Sequence, residues 1–212
     1  LGYSGGRILP FRSLDIIMSH ATPNGLAAYL RSSIDVLEAS LAAFADERAE
    51  RAIALIADAL GAGRPLLVCG NGGSASDAMH ITGELVGRFL KERKALNAIC
   101  LSSNPATLTA WANDYSYEDV FARQVEAYGG NGGVLLALST SGNSPNVLRA
   151  AEKARALGLS VVALTGAGGG RLAPLSDILL DAPSRATPLI QQVHICLYHY
   201  ICERIEARLA GA

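Results

Sequence analysis

The chain moves between two hydrophobic rhythms. Apolar residues recur at helical spacing through Leu26, Leu30, Ile34, Leu37 and Leu41, and again through Ile53, Leu55, Ile56 and Leu60. These predict one helix from Gly25 to about Ala43 and another from Asp46 to Leu60, which Gly61 and Gly63 then stop. From residue 65 onward the pattern becomes short apolar runs with helical stretches between them. Pro65–Cys69, Leu96–Leu101, Gly133–Leu138, Ser160–Thr165 and Asp177–Leu180 read as five strands. Helices are expected from about Ser74 to Leu90, near Ala106–Asn113, over Tyr117–Tyr128, from Pro145 to Leu157, and from Thr187 to about Leu209. Ser144 falls where an N-cap belongs and Pro145 at the first helical position. Short apolar strands alternating with helices predict an α/β fold. Its doubly wound parallel sheet has five strands and helices on both faces, behind a helical N-terminal preface.

Composition narrows the picture. A chain of 212 residues suits one domain with a substantial core. Half of it is hydrophobic, 17% is charged and the net charge is -1, which excludes a disordered chain or a basic tail. Nothing in that balance calls for nucleic acid or a membrane surface as partner. Cys69, Cys100, Cys196 and Cys202 form no CxxC pair, lie in or beside apolar runs, and suit buried thiols in a reducing compartment. No run of apolar residues is long enough for a transmembrane helix. The opening residues lack the apolar region and cleavage site of a signal peptide, and Met18 is a plausible start. That start would make residues 1–17 an addition; residues 1–25 read as an N-terminal extension, residues 26–212 as a single domain, and the location as cytoplasmic.

Two loops at strand ends carry the same chemistry. Gly70-Asn71-Gly72-Gly73-Ser74 follows the first strand and Ser139-Thr140-Ser141-Gly142-Asn143-Ser144 the third. Glycine admits close backbone approach, hydroxyls donate hydrogen bonds, and each following helix offers free N–H groups and the positive end of its dipole. Such loops suit a phosphate at the carboxyl edge of an open sheet, although Ser, Thr and Gly also simply make turns and caps. The first loop also matches a dinucleotide fingerprint, GxGxxA. That reading requires an acidic residue at the end of the second strand, where the chain has Leu101-Ser102-Ser103, so a nicotinamide cofactor is set aside.

A second group lies on helices. His80, Glu84 and Arg88 fall at i, i+4 and i+8 on one face, and Gln191 and His199 share a face of the last helix, with His194 turned away. A carboxylate and an imidazole on facing helices could serve as general base and acid. His80, Glu84 and His199 could also ligate a divalent metal. A solvated ion-pair ladder and a core histidine fit the spacing as well, and spacing leaves these readings open.

The run from Cys69 through Gly70-Asn71-Gly72-Gly73-Ser74 and Asp77 to His80, Glu84, Arg88 and Phe89 resembles the sugar isomerase (SIS) domain of the phosphoheptose isomerase family. So do Ala112–Tyr115, Ser139–Ser144 and Ile190–His194 with His199, and the resemblance covers about residues 26 to 209. It implies a flavodoxin-like SIS fold and a homotetramer with active sites at subunit interfaces. The implied reaction converts sedoheptulose 7-phosphate to D-glycero-D-manno-heptose 7-phosphate, for bacterial heptose biosynthesis. By matching positions, Glu84 is implied as the base and His199 as the acid. His80, Glu84, Gln191 and His199 are implied as ligands of one zinc ion per subunit. Asn71, Gly72, Gly73, Ser74, Arg88, Asn113, Asp114, Ser139, Thr140, Ser141, Ser144 and Gln191 are implied to bind the sugar phosphate. The chain departs from the family pattern at Ala186, Leu189, Gln192 and Asn104, where a carboxylate, a basic residue, a glutamate and an aspartate are common.

Rivals within the same fold are a non-catalytic SIS protein associating with the initiator DnaA, a SIS isomerase for another phosphosugar, and a phosphosugar-sensing regulator. The DnaA-associating paralogue has an apolar residue at the position of Glu84 and Asn at that of His199. The regulator is expected to carry an attached DNA-binding domain, and none is read along these residues.

Overall fold

The computed structural model describes residues 24–210, so the expected extension, apart from its last two residues, lies outside the described residues. Two helices, α1 (Leu26–Ala43) and α2 (Arg48–Gly61), precede an alternation of strands and helices. The strands are β1 (Leu66–Cys69), β2 (Ala98–Cys100), β3 (Val134–Ser139), β4 (Ser160–Thr165) and β5 (Ile178–Asp181). Between them run α3 (Gly73–Val86), α4 (Pro105–Asp114), α5 (Val120–Tyr128) and α6 (Pro145–Ala156), and α7 (Thr187–Leu209) closes the chain.

The sheet is parallel throughout, as the sequence pattern predicts, and its strands lie in the order β2-β1-β3-β4-β5. Alternate side chains feed its two faces. Leu66, Val68, Leu136, Leu138, Val162 and Leu164 pack under α2, α3 and α7. Leu67, Cys69, Leu135, Ala137, Val161 and Ala163 pack on the side of α5 and α6. After β1 the chain goes to β2 on one flank and then returns to β3 on the other. The loops after β1 and β3 thus flank the point where the winding reverses, the place where open α/β sheets bind ligands.

Three expectations need correction. The helix expected to reach Leu90 stops at Val86, because Gly87 ends it and the next backbone N–H groups turn to a buried carboxylate on α7. The strand expected over Leu96–Leu101 shrinks to Ala98–Cys100. Cys196 is exposed, whereas the other three cysteines are buried. The apolar stripe of α1 faces outward: Leu26 and Leu41 are 73% and 77% exposed, and Val36 and Ser40 are buried instead. A 3-10 turn over Gly170–Leu175, unmarked by periodicity, inserts Leu172 beneath α6.

Candidate active site

In the first loop Gly72 adopts φ +55° and lets the chain turn from β1 into α3. Ser74 is buried in the first turn, and a Cβ on Gly73 would collide with the Gln191 amide. Asn71 and Asn146 exchange side-chain hydrogen bonds of 2.8 and 2.9 Å, and the Tyr117 hydroxyl donates to Asn71 Oδ1 at 3.1 Å. Asn71 thereby ties the first loop to the start of α6. Asn113 donates to Asp114 at the exposed end of α4, and among the described residues neither bonds to a loop or to the helix cluster.

In the second loop Gly142 lies at φ +64° against the Gly169 backbone, where any side chain would clash. The Ser139 and Ser144 hydroxyls are 3.1 Å apart. Ser144 stands at the N-cap of α6, as the sequence predicts, but makes no side-chain cap bond: its hydroxyl faces Ser139 in the loop. The Thr140 hydroxyl approaches Thr187 at 3.3 Å, at the start of α7. Thr140, Ser141, Asn143 and Ser184 line a cavity of about 300 Å³ together with Arg185. Arg185 is not among the residues expected from the sequence; its only signal there is a cation just before α7, beside the departure at Ala186.

The second group assembles where α3 packs on α7. One ligating atom from each of His80, Glu84 and His199 lies within 4.8 Å of the others. His80 Nε2 is 3.0 Å from Glu84 Oε1, and its Nδ1 is 2.9 Å from the Tyr198 hydroxyl. His199 sits edge-on to His80, with ring centroids 5.0 Å apart, and stacks on Phe89 at 5.8 Å. Asp77, one turn before His80, is buried with Oδ2 lacking a hydrogen-bond partner. Burial pushes its carboxyl pKa up, against the pull of His80 and Tyr198. Tyr198 and Phe89 escaped the sequence reading because they look like apolar filling.

Two expected members fall outside this group. Arg88 lies past the end of α3 and pairs with Glu92 at 3.2 Å in solvent, so the expected three-residue helical face ends at Glu84. Gln191 packs on Gly73, and eight residues of α7 place it about 12 Å along the axis from His199. His194 is turned inward as expected: it is fully buried, and Nε2 is 3.0 Å from the Thr165 carbonyl.

The fold, with two hydroxyl loops at the switch point, defines a phosphosugar-type SIS domain, and the family model described as "SIS domain" matches residues 28–166. A phosphoheptose isomerase of Crocosphaera subtropica is 53% identical over 160 residues, 76% of this chain and 82% of the relative. One from a Bradyrhizobium strain is 51% identical over 195 residues, 92% and 94% of the two chains. The solved phosphoheptose isomerase of Francisella tularensis superposes with a TM-score of 0.81 at 38% identity, covering 85% of this chain and 96% of that one. The chain belongs to the phosphoheptose isomerase family. Among the described residues no helix is long and apolar enough to cross a membrane.

Proposed function

We propose that the protein isomerises sedoheptulose 7-phosphate to D-glycero-D-manno-heptose 7-phosphate in the cytoplasm, through an enediolate. The observation that carries this is the convergence of Glu84, His80 and His199 from two helices, in a chain half identical to phosphoheptose isomerases. Ser74, Ser139, Thr140, Ser141 and Ser144 hold the phosphate with the N-termini of α3 and α6, and Arg185 adds a cation. His80 begins about 9 Å up α3 from Ser74, the scale of an extended sugar phosphate.

Glu84 takes a proton from C1 and returns it to C2. His199 gives a proton to O2 as that carbonyl becomes a hydroxyl, and accepts one from O1 as the aldehyde forms. The proton count closes, and neither residue is consumed. His80 is held between Tyr198 and Glu84, which fixes the ring against the carboxylate.

Two imidazoles and a carboxylate with converging lone pairs fit zinc. A bound ion there would supply positive charge to the oxygens of the enediolate. Gln191 lies against Gly73, near the start of α3, and is not one of the three residues that converge. A homotetramer with sites at its interfaces would bring a second copy's residues to the group. Exposed Leu26, Leu30 and Leu41 on α1, and Met79 and Val86 on α3, are apolar surface for such contacts.

The test is incubation of the purified protein with sedoheptulose 7-phosphate while aldose formation is followed, with and without added zinc. Turnover is expected; none under either condition refutes the isomerase reading, and faster turnover of a pentose phosphate moves the substrate. Metal analysis of the same preparation tests zinc.

A further inference from the structure

Among the described residues, Glu206 and Arg93 form an ion pair whose side chains are only 1% and 2% exposed. Neither belongs to the loops or to the helix cluster. Glu206 Oε1 accepts from the Phe89 backbone N–H at 2.9 Å, and Oε2 accepts from Leu90 and Lys91 at 2.6 and 2.8 Å. The Arg93 guanidinium lies 3.4 Å from the same carboxylate. Its other nitrogens donate to the carbonyls of Gly87, Lys94 and Glu84 at 2.8, 3.1 and 2.7 Å.

Burial alone would push the Glu206 carboxyl pKa up. The three N–H donors and Arg93 outweigh that and hold it below the usual value, so it stays ionised. A buried ion pair of this kind is a poor source of net stability compared with apolar packing. What it supplies is geometry: three N–H groups and three carbonyls are fixed around two charges.

Its contacts reach both halves of the proposed acid–base pair. Arg93 grips the backbone carbonyl of Glu84 itself, at the last turn of α3. Glu206 lies seven residues beyond His199 on α7, two turns along the same face. The loop it captures carries Phe89, whose ring stacks on His199 at an interplanar angle of 29°. We propose that Glu206 and Arg93 are positioning residues: they clamp the loop after α3 to α7, and so set Glu84 and His199 at their working separation. The inference rests on Glu84 and His199 being the base and acid.

Glu206→Gln keeps one acceptor oxygen and the side chain's shape but removes the charge. Arg93→Lys keeps the charge but cannot span three carbonyls. Steady-state kinetics with sedoheptulose 7-phosphate, well below the melting temperature, should show Glu206→Gln losing about 10- to 100-fold in kcat. KM should stay within about threefold, since the phosphate loops are untouched. By NMR at fixed pH, the ring-current shift that Phe89 imposes on the His199 Hε1 resonance should disappear. A kcat within about twofold of the unsubstituted protein and an unmoved His199 resonance, even with a lowered Tm, would overturn the proposal and leave a purely structural pair. Arg93→Lys is read in the same two ways if Glu206→Gln does not fold. An inactive unsubstituted protein would refute the isomerase reading, and the His199 resonance would still decide whether the clamp exists.

Discussion

The strand-end loops and the two-helix cluster handle charge with different materials. The loops use backbone N–H groups, hydroxyls and glycine, all within short stretches of sequence, at positions fixed by the sheet. The cluster uses titratable side chains brought together from residues 80–84 and 198–199, more than a hundred positions apart. A phosphate is a fixed anion that needs a cradle; a migrating proton needs groups that change charge. The contrast predicts that damage to the cluster falls on kcat and damage to the loops falls on KM.

The largest effect should come from Glu84→Gln, which keeps the shape and removes the carboxylate proposed as base. Turnover should drop about 10²- to 10⁴-fold while binding of sedoheptulose 7-phosphate, measured by calorimetry, stays near its original value. His199→Asn should lose about 10²-fold or more by the same assay. A Glu84→Gln protein that turned over normally would break the comparison at its root, because the cluster would then be the solvated ion pair that its spacing also allows.

The complementary loss belongs to the loops. Ser139→Ala removes a hydroxyl that faces Ser144, and Arg185→Ala removes the cation of the adjoining cavity. A hydrogen bond to a charged group is worth about 1.5–3 kcal/mol, so each should raise KM about 10- to 100-fold with kcat little changed. The inhibition constant for inorganic phosphate should rise in parallel. If Arg185→Ala lowers kcat and spares KM, the guanidinium acts on the sugar end and the division between the two regions fails.

That division also explains how much could be read from the sequence. Strand and helix order, the parallel sheet and both loops follow from local signals: periodicity, glycine and capping residues within a few positions. The fate of Arg88 does not, because i, i+4, i+8 spacing describes a helix that Gly87 and Glu206 in fact end at Val86. Nor does the outward stripe of α1, whose apolar spacing is the same whether it faces a core or a neighbouring subunit. Tyr198 and Phe89 carry no sequence signal for their role, since an aromatic beside a histidine becomes a hydrogen-bond partner or a stacking plate only once α7 and the loop meet. Family resemblance supplied what spacing could not: it singled out Glu84 and His199 from charges that look ordinary.

The smallest effect on turnover is expected from a histidine on the same helix as His199. His194 is enclosed in the core, with Nε2–H donating to the Thr165 carbonyl, so Nδ1 is the unprotonated nitrogen and has no partner. Burial lowers its pKa to about 4, against the opposing pull of the Thr165 carbonyl. In the unfolded chain the same ring titrates near 6.5. Its folded pKa is depressed, so the stability it contributes is complete above about pH 6.5 and is lost as pH falls toward 4. By pH 5 that loss should reach about 2 kcal/mol. Urea midpoints measured between pH 7 and pH 5 should therefore fall, and His194→Gln, which cannot take up a proton, should fall less over the same interval. At pH 7.5 the same substitution should leave kcat and KM nearly unchanged, whereas His199→Asn, five residues further along α7, should not. Equal pH slopes for His194→Gln and the unsubstituted protein would mean that acid sensitivity arises elsewhere, with the enclosed carboxylate Glu206, whose depressed pKa costs stability in the same direction as pH falls, the next group to test.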